Sequence, residues 1–222
     1  MKQSLHVSCA YNKELDCDLY GFMDNNGIMV IPPKYWCAYE FSEGLAAVGF
    51  IDEDGEAIER LGFIDMKGDW VIAPQFSFVV DCGFSEGLCA VILDDSPDKS
   101  DDGRVIDLKA KKDKWGYVDK RGEFVIAPKY DDAGPFFNGV APVCIEKEGM
   151  GEHCGWGFID NTGRVIVPLE YDMPIDKPYH TTQGLLHLER NGEDFWFDLS
   201  GKHVSCYYYS FHIGIYTIII KY

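Results

Sequence analysis

Along residues 115–130, WGYVDKRGEFVIAPKY, the apolar positions fall into two short runs, WGYV and FVIA, parted by a polar connection that carries a glycine. The stretch is too aromatic for a loop and too broken for a helix, so it predicts strand, turn, strand. Asp119 opens the turn, where its carboxylate can accept a backbone N–H two or three residues on. Gly122 follows three residues later, where a left-handed residue completes a type I turn with a bulge. The second strand reaches Pro128, which cannot donate to a ladder, so it is expected to stop or lie at an edge there. The aromatic beyond it, Tyr130, is expected to pack inward. FFNGVAPV (136–143) then predicts a tight glycine turn into a third strand of small residues, suited to a crowded interior.

The same pattern recurs. First halves read YGFMDNNGIMVIPPKY (20–35), LGFIDMKGDWVIAPQF (61–76), WGYVDKRGEFVIAPKY (115–130) and WGFIDNTGRVIVPLEY (156–171), with a degenerate fifth, FWFDLSGKHVSCYYY (195–209). Second halves read FSEGLAAV (41–48), FSEGLCAV (84–91), FFNGVAPV (136–143) and, less clearly, QGLLHL (183–188). The turn pairs are Asp24 with Gly27, Asp65 with Gly68, Asp119 with Gly122, Asp160 with Gly163, and Asp198 with Gly201. Gly21 and Gly62 stand 41 residues apart, as do Gly116 and Gly157, while Gly62 and Gly116 are 54 apart. A period near 40 marks a stacked or radial array in which no unit buries its apolar face alone.

The expected fold is therefore all-β, one domain over 1–222, built from tandem antiparallel units of about 40 residues. It forms either a propeller-like closed ring or an open β array. The units lie near 20–48, 61–91, 115–143, 156–188 and 195–209, with an insertion at 93–113 and an apolar tail at 205–222. SLHVSC falls where the third strand of a preceding unit would lie, and the fifth unit lacks a clear third strand. A ring closed by pairing the termini would use both features, and frayed capping units are the alternative.

The pattern WG-[YF]-[IV]-D-x-x-G-x-x-V-I-x-P-x-[YF] resembles the WG-repeat proteins, a large and mostly bacterial family. Trp115–Gly116 and Trp156–Gly157 supply the WG, Tyr20–Gly21 and Leu61–Gly62 keep the glycine, and Trp196 is read as standing at the glycine position of the fifth unit. The resemblance implies a β-rich repeat with an interaction role. It implies no reaction and no catalytic residues.

Composition narrows the partner. A net charge of −17 argues against nucleic acid or an anionic membrane, both of which need a basic face. The eight cysteines contain no CxxC, and several sit in apolar strand-like runs, Cys89 and Cys144 among them, where a free thiol acts as a small hydrophobe. That reads as a reducing, cytoplasmic setting. The tail VSCYYYSFHIGIYTIIIKY is rich in Tyr and β-branched Ile, which suits strands better than a spanning helix.

Candidate chemistry is sparse. The repeated aspartates read as turn formers, because acid–base work needs two carboxylates converging on one bond. The acidic connections 51–60 and 93–114 carry part of a calcium loop and the cluster Asp94, Asp95, Asp98, Asp101 and Asp102, with a solvated connection as the plainer reading. The histidines show no HxxxH spacing, the serines of FSEG read as turn residues, and Trp70, Trp115 and Trp156 read first as a core layer. Val91 to Gly116 spans 25 residues against 14 at the equivalent junctions Val48 to Gly62 and Val143 to Gly157, so one face of the array carries the extra loop. These residues predict a non-catalytic module that binds a protein partner through repeat-face loops, with no cofactor and no metal. An enzyme or calcium-dependent carbohydrate-binding domain using the acidic loops is the alternative.

Overall fold

The computed structural model describes residues 4–51, 57–93, 114–146, 154–172, 184–209 and 217–221, and these are strands, turns and short connections without helix. By its internal contacts the chain divides into two compact units, 1–129 and 130–222. The first holds β1 (Leu5–Asn12), β2 (Cys17–Asp24), β3 (Met29–Ala38), β4 (Ala46–Ile51), β5 (Ala57–Ile64), β6 (Trp70–Val79), β7 (Leu88–Leu93), β8 (Trp115–Asp119) and β9 (Phe124–Tyr130) up to its last residue. These pair in chain order as one antiparallel meander. The second holds β10 (Asp132–Ala133), β11 (Val140–Glu146), β12 (Cys154–Asp160) and β13 (Val165–Tyr171) in one sheet. A further sheet there comprises β14 (Leu185–Arg190), β15 (Glu193–Asp198), β16 (His203–Tyr209) and β17 (Thr217–Lys221).

Each repeat is a hairpin followed by a third strand that pairs with the next hairpin. Local chemistry closes the hairpin. In the third repeat Gly122 N donates to Asp119 O at 2.9 Å and Asp119 N to Glu123 O at 2.9 Å, with φ of +82° at Gly122. That is a type I turn ended by a left-handed bulge residue. The third strand is entered by a two-residue turn whose central residues both have positive φ: Glu43 (51°) and Gly44 (90°), Glu86 (53°) and Gly87 (81°), Asn138 (53°) and Gly139 (79°). This mirror-image type I′ turn matches the right-handed twist of the strands it joins.

The prolines do not end their strands. Tyr20 faces Tyr35 and Phe22 faces Ile31, so two residues of β2 oppose four of β3, and Pro32 and Pro33 lie in the excess. β5 with β6 and β12 with β13 carry the same shift. A bulge is where a strand tolerates a residue without an N–H, which corrects the expected strand end or sheet edge. The bulged backbone then crosses the glycine of the WG position. A Cβ on Gly116 would lie 2.8 Å from Ile126 O and 2.8 Å from Pro128 N, and one on Gly62 would lie 2.7 Å from Ile72 O. Only glycine fits beneath it.

The register moves one reading of the fifth unit. Leu188 faces Phe195 where Val143 faces Gly157, so Phe195, not Trp196, occupies the glycine position. Trp196 aligns with Phe158, and the appearance of a displaced WG comes from one tryptophan beside an unrelated strand position. β1 pairs with β2 as β4 pairs with β5, placing SLHVSC as a third strand. The described part of the tail forms strands, β16 pairing antiparallel with β17. Among the described strands β1 has β2 as its one neighbour in the sheet order.

Apolar clusters of buried side chains hold the repeats. Leu5, Phe22, Ile31, Tyr35, Ala46, Val48 and Ile64 form one, and Leu61, Phe63, Ile72, Phe76, Phe84, Val91 and Val118 belong to the next. In the second unit Val140, Cys144, Trp156, Phe158, Val167, Tyr171, Leu186, Leu188 and Phe197 pack together. The aromatics after the prolines are all buried: Tyr35, Phe76, Tyr130 and Tyr171. Successive repeats also lock at their turns, since Gly68 sits over the Ile31 side chain and Gly122 over Ile72.

Candidate functional site

The five repeated aspartates are occupied by their own turns. Asp24 Oδ1 accepts the amides of Asn26 and Ile28 at 2.9 Å each. Asp65 accepts Lys67 N at 2.8 Å and Asp69 N at 3.1 Å, and Asp119 accepts Arg121 N at 2.8 Å and Glu123 N at 3.1 Å. Asp160 and Asp198 do the same toward Thr162 with Arg164 and toward Ser200 with Lys202, and each also takes the neighbouring hydroxyl at 2.6 Å. The amides bonded lie two and four residues on. Donors aimed at the ionised form hold all five carboxyls below the usual range. The Ile28 amide leads at Asp24, the Asp69 amide at Asp65, and the hydroxyls of Thr162 and Ser200 at Asp160 and Asp198. At Asp119 desolvation pushes upward and is outweighed by the amide and guanidinium of Arg121.

A second polar network ties the other turns together within the first unit. Glu43 Oε2 accepts Gly87 N at 3.0 Å and pairs with Lys120 Nζ at 3.0 Å, while Lys120 Nζ also donates to Glu43 O at 3.0 Å. Desolvation opposes ionisation of Glu43, but Lys120 and the Gly87 amide outweigh it and lower its pKa. Ser42 Oγ donates to Phe84 O at 2.5 Å, so this serine is a link between repeats.

Nucleophile and metal chemistry find little to work with among the described residues. Burial pushes the Cys37 thiol up to about 11 and raises Cys82 and Cys89 as well, which keeps all three protonated at neutral pH. No group of three or more His, Cys, Asp or Glu among the described residues could hold a metal ion. His6 contacts Ser4 and Asn25, His203 packs edge-on to Phe197, and His187 stacks on Trp196 with ring centroids 4.2 Å apart. His187 Nε2 lies 2.6 Å from Asp194 Oδ1. Asp94, Asp95, Asp98, Asp101 and Asp102 lie outside the described residues, as do 52–56 of the first acidic connection and the rest of 94–113 in the second.

Two features were not read from the sequence. Val30, Val71 and Val125 occupy one position of three successive repeats, each just before a buried isoleucine, and are 37%, 44% and 49% exposed. Strand alternation was the available signal, because the neighbours of a buried Ile point to the opposite face. Trp70 corrects the core-layer reading: it is 45% exposed, edge-on to Tyr35 at 6.3 Å and Phe50 at 6.1 Å, whereas Trp156 is buried. The other feature is a disulfide between Cys144 and Cys154, with Cα atoms 5.8 Å apart. It corrects the reading of Cys144 as a free thiol. Cys9, Cys17, Cys37, Cys82 and Cys89 are free.

A family model described as WG containing repeat matches residues 20–48, 62–95, 115–148 and 156–173, just over half of the chain. No curated protein and no solved structure matches. Within the described residues no helix is long and apolar enough to cross a membrane.

Proposed function

The chain belongs to the WG-repeat family, and from that premise we propose a non-catalytic binding or scaffold module whose partner is a protein. The observation that carries this reading is the exposed row of Val30, Val71 and Val125. A repeat array displays the same side chain at regular intervals, and exposed apolar groups in series suit a protein surface. The recurrent polar groups support it from the other side. Asp24, Asp65, Asp119, Asp160 and Asp198 are engaged by turn amides, so they are not poised on a substrate.

The net charge of −17 disfavours nucleic acid and anionic membranes as partners. A cytoplasmic setting accords with the five free cysteines among the described residues, and leaves the Cys144–Cys154 bridge to be explained. The test is cross-linking capture from native lysate with the wild type and with a Val30→Lys/Val71→Lys/Val125→Lys variant of unchanged far-ultraviolet circular dichroism. The variant should lose the captured protein. Equal recovery by both would remove this surface, and a parallel replacement of 94–112 by a Gly-Ser linker would then ask whether the inserted loop carries binding.

A further inference from the structure

We propose that Cys144 and Cys154 form a reversible thiol–disulfide element, one that sets how tightly the loop-side end of β11 and β12 is held without deciding whether the fold forms. The first support is internal to the chain. β11 and β12 pair through seven residues, from Val140 with Asp160 to Glu146 with Cys154. The equivalent strands β4 with β5 and β7 with β8 pair without any bridge. Cross-linking is therefore an addition to a scaffold that pairs without it.

The second support is that both oxidation states have a place in the packing. Val143 faces Gly157 as Val91 faces Gly116 and Val48 faces Gly62, so Cys144 stands where Ile92 and Gly49 stand in the other repeats. That position is apolar, and Cys144 is fully buried within the cluster of Val140, Trp156 and Phe158. A protonated thiol is a small hydrophobe and fits there as Ile92 does. When oxidised, the two strands present Cα atoms 5.8 Å apart, inside the span a disulfide accepts.

The third support is asymmetry of access. Cys154 is partly exposed while Cys144 is not. Exchange follows from this: the thiolate of a small-molecule thiol such as glutathione attacks Cys154 Sγ, the S–S bond breaks, and its electron pair leaves on Cys144 Sγ, which takes a proton. A second thiolate attacks the mixed disulfide, freeing Cys154 and giving one oxidised glutathione per two thiols consumed. The reverse sequence restores the bridge.

The experiment places the whole chain in glutathione buffers of graded redox ratio, traps free thiols by alkylation, and reads the labels at Cys144 and Cys154 by peptide mass. Both labels should appear together and disappear together. Far-ultraviolet circular dichroism should stay constant. Amide exchange at Ile145, Glu146 and Gly155 should rise about tenfold on reduction and return on reoxidation, as expected of a local opening. A Cys144→Ala/Cys154→Ser variant should fold and show no redox response. Independent labelling of the two thiols, loss of the β signal on reduction, unchanged exchange, or a double variant that fails to fold would each overturn the proposal.

Discussion

The fourth and fifth hairpins close with the same turn and differ in the glycine and the proline beyond it. Gly163 N donates to Asp160 O at 2.9 Å, and Gly201 N to Asp198 O at 2.9 Å. In the fourth, Trp156 faces Tyr171 and Phe158 faces Val167, so the ladder slips over Pro168 and its backbone lies on Gly157. In the fifth, Trp196 faces Val204 and Phe197 faces His203, without the shift that separates Phe158 from Ile159 in the fourth. The fifth has Phe195 in place of the glycine and no proline in its second strand. The glycine and the proline are thus one device, lost together in the fifth hairpin. The aspartate turn is another, and survives without the first.

The sharpest way to break this comparison is to place alanine at the glycine position of each hairpin. A Cβ on Gly157 would lie 2.4 Å from Val167 O and 2.5 Å from Pro168 O, backbone atoms that cannot step aside. Gly157→Ala should cost about 3 kcal/mol in urea denaturation. Phe195→Ala, in a hairpin without the proline, should lose only the packing of a half-buried ring, about 1–2 kcal/mol, and keep its register by amide exchange. Equal melting of Gly157→Ala and wild type would mean the bulge does not press on that glycine.

The turn glycines separate backbone strain from crowding. Gly122 and Gly139 have φ of +82° and +79°, but a Cβ on Gly122 would meet Ile72 Cγ2 at 2.8 Å while one on Gly139 meets nothing within 4 Å. Gly139→Ala should cost about 1 kcal/mol, the left-handed penalty alone. Gly122→Ala should cost about 2 kcal/mol, because it also pushes against the preceding repeat. If the two were equally destabilised, the contact between turn and isoleucine would contribute nothing.

A smaller effect tests the independence of the aspartate turn. Asp119→Ala and Asp198→Ala each remove an acceptor of two amides, one from a hairpin that has the glycine and proline and one from a hairpin that has neither. Both should lose about 1 kcal/mol by chemical denaturation. A loss confined to Asp119→Ala would show that the turn and the glycine–proline pair act as one.

Acid should produce the most gradual change. The five turn carboxyls are lowered in the folded chain, so their contribution is fully present above the unfolded value, about 3.9, and is lost as pH falls through the lower folded values. The urea midpoint should hold steady from pH 7 to 5 and decline below about pH 4, with a shallower decline in Asp198→Ala. Identical slopes for that variant and wild type would remove this carboxyl from the acid response.

Much of this was legible along the chain because it is local. An aspartate bonds amides two and four residues away, and a glycine that follows ends the turn, so residues 119–123 carry their own conformation. The buried aromatics Tyr35, Phe76, Tyr130 and Tyr171 were legible for a related reason: each recurs at one offset from the turn, and a strand's alternation sets the face. The candidate surface was harder to see, because an exposed valine and a buried isoleucine differ only in which side of the sheet is covered.

By itself, then, the sequence determined the strands, their turns and their repetition, all consequences of backbone preferences spanning a few residues. Tertiary structure decided the features that depend on which strand lies opposite. Whether Gly157 is indispensable follows from Val167 and Pro168 crossing it, and whether Phe195 or Trp196 holds the equivalent place follows from Leu188 across the ladder. Cys144 meets Cys154 because β11 and β12 align Glu146 with Cys154 and Cys144 with Trp156, a register in which one residue of slip would put the side chains on opposite faces. Pairing of that kind is set by the summed burial of both strands, which no short stretch of chain contains.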